Sequence, residues 1–178
     1  MSARPLLAKL LIATAVLAGC APTGRDPATP MTEYQGNGLR VKHPAAWKPL
    51  SPRLNDSAAF EVGVGRPTAP GADVLLDVIV QGAPYSLGMM VDDWTRVNAA
   101  QSGFTVVDRR RTEIDGRQAQ IVRTRYDLAL GNGRTERIHQ VDVFLELGRD
   151  RLADVRTLSV GSERRQISDE IVSSVRAA

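Results

Sequence analysis

The side chains able to do acid–base, nucleophilic or metal chemistry are few and scattered along the sequence. His43 and His139 each lack a second nitrogen or sulfur ligand at the spacing of a zinc site. Ser162 follows a glycine, but no glycine comes after it, so the Gly-x-Ser-x-Gly turn of a serine hydrolase is missing. Asp92 and Asp93 are adjacent, which on a helix turns them about 100° apart. We therefore expect no catalytic residue, no metal site and no cofactor.

Cys20 is the only cysteine in the chain, and it follows a segment with the layout of a secretory signal peptide. This segment has a basic start with Arg4 and Lys9, an apolar core over residues 10–17 and two small residues. The apolar core is too short to cross a bilayer as a helix, which takes roughly 20 residues. Residues 1–19 are predicted to be a targeting segment that the mature protein lacks.

The last four residues of this stretch, Leu-Ala-Gly-Cys, resemble the lipobox of bacterial lipoproteins. In that family the cysteine thiol takes a diacylglycerol, the chain is cut just before the cysteine, and the new N-terminus can be acylated as well. The resemblance implies that Cys20 is lipidated and anchors the protein in the cell membrane on its extracytoplasmic side. Two or more acyl chains give stable attachment, whereas a single chain holds a protein only marginally.

The charge balance argues against a nucleic-acid partner. The chain has 23 lysines and arginines against 20 acidic residues, and loss of Arg4 and Lys9 lowers the formal net charge from +3 to +1. Nucleic-acid binding needs many basic contacts to phosphates. With Cys20 acylated no disulfide can form, so we expect a monomeric domain that is held together by its core alone.

Composition divides the chain into three regions. After residues 1–19, residues 20–37 are rich in proline, glycine and threonine, and we expect the lipidated cysteine to be followed there by a flexible tether. Residues 38–178 are predicted to form a single globular domain.

Alternating apolar runs bounded by turn residues predict strands in the globular region. They lie near residues 39–43, 58–65, 73–82, 104–114, 117–128, 140–147 and 152–160. Apolar residues at spacings of three and four predict helices at 86–101, with Ser86 as N-cap, and at 163–176. Strands joined by short turns, such as the Asp115-Gly116 pair, run antiparallel. The order predicts an α+β fold in which helices flank an antiparallel sheet of about 6–7 strands.

The stretch GLRVKHPAAWKPL, a strand followed by a proline and then a tryptophan, resembles the opening of the PsbP-like domain family. This family includes lipid-anchored proteins of the LpqN type and the DcrB-like lipoproteins. The hairpin in FTVVDRRRTEIDGRQAQIVRTRY and the strand RLADVRTLSV before a last helix fit the same order, over about residues 38–176. The resemblance implies a central antiparallel sheet flanked by helices and a role in binding or assembly without enzyme activity. It supplies no site motif.

Arginines gather in three successive predicted strands and their turns. A basic patch of Arg109, Arg111, Arg123 and Arg125 that faces anionic headgroups or an acidic partner is one interpretation. The other is a solvent-exposed face on which interleaved aspartates and glutamates neutralise the arginines. Trp47 has two interpretations as well, as a core anchor or as a surface on which a ligand stacks.

These features predict a membrane-anchored lipoprotein of the cell envelope that binds an envelope lipid, a cell-wall component or a protein partner without catalysis. Two alternatives stay open: an enzyme whose site the sequence does not reveal, and a structural subunit of an envelope complex. An apolar pocket with a few convergent polar groups would favour ligand binding. A flat apolar patch would favour a protein partner.

Overall fold

The computed structural model of the chain describes residues 29–50, 57–65, 72–82, 85–129, 133–160 and 165–178. The predicted targeting segment, Cys20 and Ser162 lie outside the described residues. The helices are α1 (Leu87–Asn98) and α2 (Arg165–Ser174). The strands are β1 (Met31–Gly36), β2 (Leu39–Pro44), β3 (Lys48–Pro49), β4 (Phe60–Gly65), β5 (Ala72–Gly82), β6 (Thr105–Ile114), β7 (Arg117–Ala129), β8 (Thr135–Gly148), β9 (Arg151–Val160) and β10 (Arg176–Ala177). In the described part of the chain, neither helix has the length and apolar character that a membrane span requires.

The described strands form two sheets. The large sheet has seven strands in the order β3-β4-β5-β9-β8-β7-β6, and the small sheet has the order β1-β2-β10. All neighbouring strands pair antiparallel. The predicted α+β class, with an antiparallel sheet flanked by helices, is confirmed.

The hairpin between β6 and β7 turns at the predicted pair. Asp115 and Gly116 have φ angles of 49° and 77°, the left-handed values that both central residues of a type I′ turn adopt. The turn places Ile114 opposite Arg117 and aligns the two strands from that point.

One face of the large sheet carries the main core. Its apolar residues pack against the small sheet and against α2, which contributes Ile171 and Val172. Trp47 lies in this core and is 7% exposed. The sheet residues of this core include Val62, Leu76, Val78, Ile121, Val141, Val143 and Val155.

The opposite face of the large sheet is covered by α1. Leu87, Met90 and Val91 of α1 pack on Val122, Phe144 and Leu152 of the sheet. Because successive side chains of a strand point to opposite faces, a sheet that is covered on both sides buries both sets of its side chains. Residues on the polar side of the strand patterns are therefore buried as well wherever they lie under this second layer.

The N-terminal boundary of the domain differs from the prediction. Residues 31–36, assigned to the tether, form β1 and pair with β2 across a turn at Asn37 and Gly38. Met31 and Tyr34 pack against the main core, and the Tyr34 ring stacks on Phe60 with centroids 4.2 Å apart. The sequence pattern did not predict β1, because only two apolar side chains of this short edge strand contact the core. Its extended conformation depends on pairing with β2.

Both predicted helices form, and α1 is shorter than predicted. The observed helices are α1 and α2, against predicted spans of 86–101 and 163–176. The chain after α2 does not continue as a helix but pairs with β2 as β10, with Arg176 opposite Arg40.

Candidate functional site

The start of α1 is fixed by its cap. Ser86 Oγ accepts a hydrogen bond from the backbone N–H of Met89 at 3.4 Å, which confirms the predicted N-cap. The N–H groups of Leu87 and Gly88 have no acceptor among the described residues. The first N–H groups of a helix have no partner within it and carry partial positive charge. This end of α1 therefore offers two free donors.

Two adjoining cavities open at this end of α1. The outer cavity, of about 620 Å³, lies between the helix start and the turns that follow β6 and β8. The inner cavity, of about 380 Å³, is bordered by Leu87, Gly88 and side chains of β6, β7 and β8. Both are lined by Ser86, Gln118 and Glu146, and we call the two together the α1 cleft. Their volumes are in the range of small-molecule sites.

The described lining of the α1 cleft contains four arginines and one carboxylate: Arg111, Arg117, Arg149, Arg151 and Glu146. Two of the arginines are held by backbone carbonyl groups, because Arg117 Nη1 donates to that of Leu147 in β8 at 2.7 Å and Arg151 Nη2 to that of Asn37 in the β1–β2 turn at 3.3 Å. Arg111 and Arg149 form no ion pair with a described residue. The excess of guanidinium groups makes the α1 cleft suited to an anion.

Gln120 of β7 lies at the bottom of the inner cavity and is 2% exposed. Its Oε1 accepts a hydrogen bond from Arg109 Nε at 3.0 Å, and Arg109 Nη1 donates to Asp92 Oδ1 of α1 at 2.6 Å. These contacts fix the orientation of the amide. Its Nε2 lies near Gly88, where a Cβ would be 4.0 Å away, and has no acceptor among the described residues.

The four arginines of the basic-patch interpretation lie on two faces of the sheet. The register places Arg109 opposite Val122 and Arg111 opposite Gln120, so both are on the α1 face. Arg123 and Arg125 lie opposite Val141 and His139 on the other face, and Arg123 donates to Asp169 of α2 at 2.7 Å. Equal spacing on two strands does not imply a common face, since the hairpin turn sets which residues oppose each other.

The other residues considered from the sequence lie apart. His43 is buried in the small sheet, with Nδ1 3.1 Å from the Pro44 carbonyl oxygen, whereas His139 lies on β8. Burial lowers the pKa of His139, and the positive charges of three nearby arginines act in the same direction. Trp47, buried in the main core, has little ring surface left for a ligand. Within the described residues, no group of three His, Cys, Asp or Glu side chains is arranged to hold a metal.

The sequence interpretation missed a buried charged cluster on the α1 face. Asp77, Arg156 and Asp142 lie side by side on β5, β9 and β8. Arg156 donates from Nε to Asp142 Oδ1 and from Nη2 to Asp154 Oδ2, both at 2.8 Å. The three aspartates are at most 5% exposed. We call these residues, with Glu61 opposite Asp77, the carboxylate cluster.

The three aspartates of the carboxylate cluster hold their protons more tightly than isolated carboxyl groups do. Burial raises the pKa of Asp77 to about 7, and the hydrogen bond and charge of Glu61 act in the same direction. Burial raises the pKa of Asp142 and of Asp154 as well, although the Arg156 charge opposes it. Each of these residues is on the polar side of its strand pattern, so the signal was present in the sequence. Only the order of strands, β5-β9-β8, shows that they meet.

Comparison with known proteins identifies the fold. The sequence matches no protein-family model and no curated protein. Among solved structures it is similar to PsbP of the cyanobacterium Synechocystis sp. PCC 6803, with a TM-score of 0.58, 14% identity, and coverage of 91% of this chain and 99% of that one. The chain has the PsbP-like fold.

Two further structures show the same architecture. LpqN of Mycobacterium tuberculosis, which is involved in cell envelope biogenesis, has a TM-score of 0.55 at 13% identity, over 83% of this chain and 90% of that chain. The Ran-binding protein Mog1p of Saccharomyces cerevisiae has a TM-score of 0.55 at 10% identity, over 84% and 96%. The predicted resemblance to the PsbP-like domain is confirmed for the fold.

Proposed function

We propose that this is a lipid-anchored protein of the cell envelope that acts as a monomer by binding an anionic ligand in the α1 cleft, without catalysis. The observation that carries the proposal is the lining of that cleft. Arg111, Arg117, Arg149 and Arg151 surround two adjoining cavities in which Glu146 is the one described carboxylate. Arginine stays protonated in proteins and suits planar, bidentate recognition of carboxylates and phosphates.

The composition of the α1 cleft favours binding over chemistry. Arginines do not take up a proton, and the Ser86 hydroxyl is already used as the helix cap. Among the described lining residues, only Glu146 could act as a base. A site with several guanidinium groups and one carboxylate suits an anion, and no hydrogen bond among its described residues joins a nucleophile to a base.

The anchor supports a location at the envelope. Cys20 follows the Leu-Ala-Gly of a lipobox-like segment, and residues 21–30 separate it from β1. LpqN, a protein of this fold, takes part in cell envelope biogenesis. A diacylglyceryl group on Cys20 would keep the α1 cleft within reach of envelope lipids and glycans.

The anchor is tested by metabolic labelling of the full chain with palmitate in a bacterial host. The wild-type chain is expected to incorporate label and to be cut before Cys20, and a Cys20→Ala variant is expected to do neither. Labelling of the Cys20→Ala variant would refute the lipid anchor.

The α1 cleft is tested by native mass spectrometry of the full chain, purified from its own host in a neutral detergent. We expect an anionic molecule to be retained by the wild type and lost from an Arg111→Ala/Arg149→Ala variant. Arg110→Ala/Arg125→Ala is the matched control, because it removes the same charge from exposed positions outside the α1 cleft. Equal retention by both double variants would show that the ligand binds elsewhere.

A further inference from the structure

The inner cavity of the α1 cleft combines hydrogen-bond donors from three elements. α1 contributes the free N–H groups of Leu87 and Gly88, β7 contributes Gln120 Nε2, and β6 contributes the Arg111 guanidinium. In this half of the α1 cleft, the free donors among the described residues outnumber the one carboxylate, Glu146.

The side chain of Gln120 distinguishes the inner cavity from an exposed helix end. The residue is 2% exposed and lines the inner cavity, and its Nε2 has no acceptor among the described residues. The Asp92–Arg109–Oε1 chain of hydrogen bonds holds the amide in this orientation, because Arg109 can only donate. The donor is thereby presented to the inner cavity in advance of any ligand.

Gly88 leaves space for an anion next to these hydrogen-bond donors. A Cβ at this position would lie 3.9 Å from Ser86 Oγ and 4.0 Å from Gln120 Nε2, at ordinary contact distance. The Cβ would therefore fit without strain, and the space it would fill is next to the helix N–H groups and to the Gln120 amide. The glycine keeps these donors open.

We infer that the inner cavity is a binding site for a phosphate group, held by the N–H groups of Leu87 and Gly88, by Gln120 Nε2 and by Arg111. The inference rests on the proposed function, since it names the ligand class of the same cleft. A tetrahedral phosphate has acceptor oxygens for donors from three directions, whereas the two oxygens of a carboxylate lie in one plane. Helix starts and guanidinium groups are established phosphate partners.

The rest of the ligand extends into the outer cavity. There, Tyr85 is 41% exposed, and Arg117 and Arg149 supply further positive charge. Glu146 lines both cavities and accepts a hydrogen bond from a hydroxyl group next to the phosphate. Glycerol phosphates and sugar phosphates carry such a hydroxyl group. Two sources provide this chemistry: the headgroup of an anionic phospholipid and a soluble phosphate ester.

The test follows the amide resonances of the full chain by NMR in the presence of phosphatidylcholine nanodiscs. Inorganic phosphate is added in one arm, and phosphatidylglycerol replaces part of the phosphatidylcholine in the other. In the first arm we expect the backbone signals of Leu87 and Gly88 and the side-chain amide of Gln120 to shift together and to saturate. Shifts in the second arm identify a membrane phospholipid as the source, and shifts with phosphate alone identify a soluble one.

The decisive variant is Gly88→Ala, because it fills the space without removing a charge and suits a helix better than glycine. We expect its melting temperature to be no lower than that of the wild type and its phosphate affinity to be about tenfold weaker, the loss of one hydrogen bond to a charged group. Met89→Ala is the control, since Met89 is 60% exposed on the same turn and does not line the α1 cleft.

The outcomes separate this inference from the proposed function. Wild-type affinity for inorganic phosphate in Gly88→Ala, or saturation without shifts at Leu87, Gly88 and Gln120, overturns the phosphate site. If the Arg111→Ala/Arg149→Ala variant also loses its co-purifying anion, the anion-binding function stands with a ligand of another class. If neither phosphate nor a co-purifying anion depends on the α1 cleft, both proposals are wrong.

Discussion

Arg156 and Asp142 lie opposite each other on β9 and β8, joined by a hydrogen bond of 2.8 Å from Nε to Oδ1. The Arg156 side chain is 20% exposed and that of Asp142 is fully buried. The same guanidinium also donates to Asp154. One cation therefore compensates a group of buried carboxylates on the face of the sheet that α1 covers.

Replacing Arg156 with methionine is expected to lower the free energy of unfolding by about 3–5 kcal/mol, because it leaves buried carboxylates without their cation. Urea denaturation of the full chain in a neutral detergent measures the change. Arg110→Met is the control, because Arg110 is exposed on β6 and its loss should change stability by no more than about 0.5 kcal/mol. Equal effects of the two variants would contradict the compensating role of Arg156.

Asp77 makes stability depend on pH. Its pKa is about 7 in the folded protein against an ordinary value of 3.8, so the unfolded chain releases the proton first as pH rises. The corresponding stability is fully present below about pH 4 and is lost as pH rises through about 7.

Asp77→Asn removes this titration. Relative to the wild type, the variant is expected to gain roughly 1–4 kcal/mol of stability between acid and mildly alkaline pH, since each pKa unit corresponds to about 1.4 kcal/mol. Denaturation curves across that pH range measure the difference. Asp93→Asn, at an exposed position of α1, is the matched control for the change from aspartate to asparagine. A parallel curve for Asp77→Asn would mean that folding does not raise the pKa of Asp77.

Phe144 packs under α1, whose first turn borders the α1 cleft. It is 1% exposed, and its ring meets Trp94 of α1 edge-on with centroids 5.5 Å apart. Phe144→Ala is expected to cost about 3–5 kcal/mol by opening a cavity under α1. Val107→Ala, at a residue that is 59% exposed, should leave the melting temperature almost unchanged. Calorimetry distinguishes the two, and a small effect at Phe144 would show that α1 is not tightly packed.

Gly103 combines a left-handed backbone with a close approach to β7. Its φ is 65°, and a Cβ there would lie 3.0 Å from Asp127 Cγ, because the Asp127 N–H donates to the Ser102 carbonyl at 2.7 Å. Gly103→Ala is expected to cost about 1–3 kcal/mol. Gly133→Ala isolates the backbone contribution, since its φ is 76° with nothing within 4 Å of a Cβ. Equal losses of melting temperature would show that the Asp127 contact is harmless.

The sequence by itself determined the local elements. The Ser86 cap and the apolar spacing of α1, the Asp115-Gly116 turn and the alternation in β8 each depend on residues close together in the chain. Such short-range preferences can be predicted from the sequence without knowing which residues lie on the neighbouring strand or layer. The α+β class followed from their order, because strands that succeed one another across short turns must pair antiparallel.

Only the tertiary structure decided which side chains meet. The hairpin register sent Arg109 and Arg123 to opposite faces, and the strand order β5-β9-β8 brought Asp77 and Asp142 to the same guanidinium. The second layer formed by α1 buried the polar side of the strands and left a cleft where its first turn meets the β6–β7 hairpin. These contacts join residues far apart in the chain, so their geometry depends on pairing and layering that no local pattern encodes.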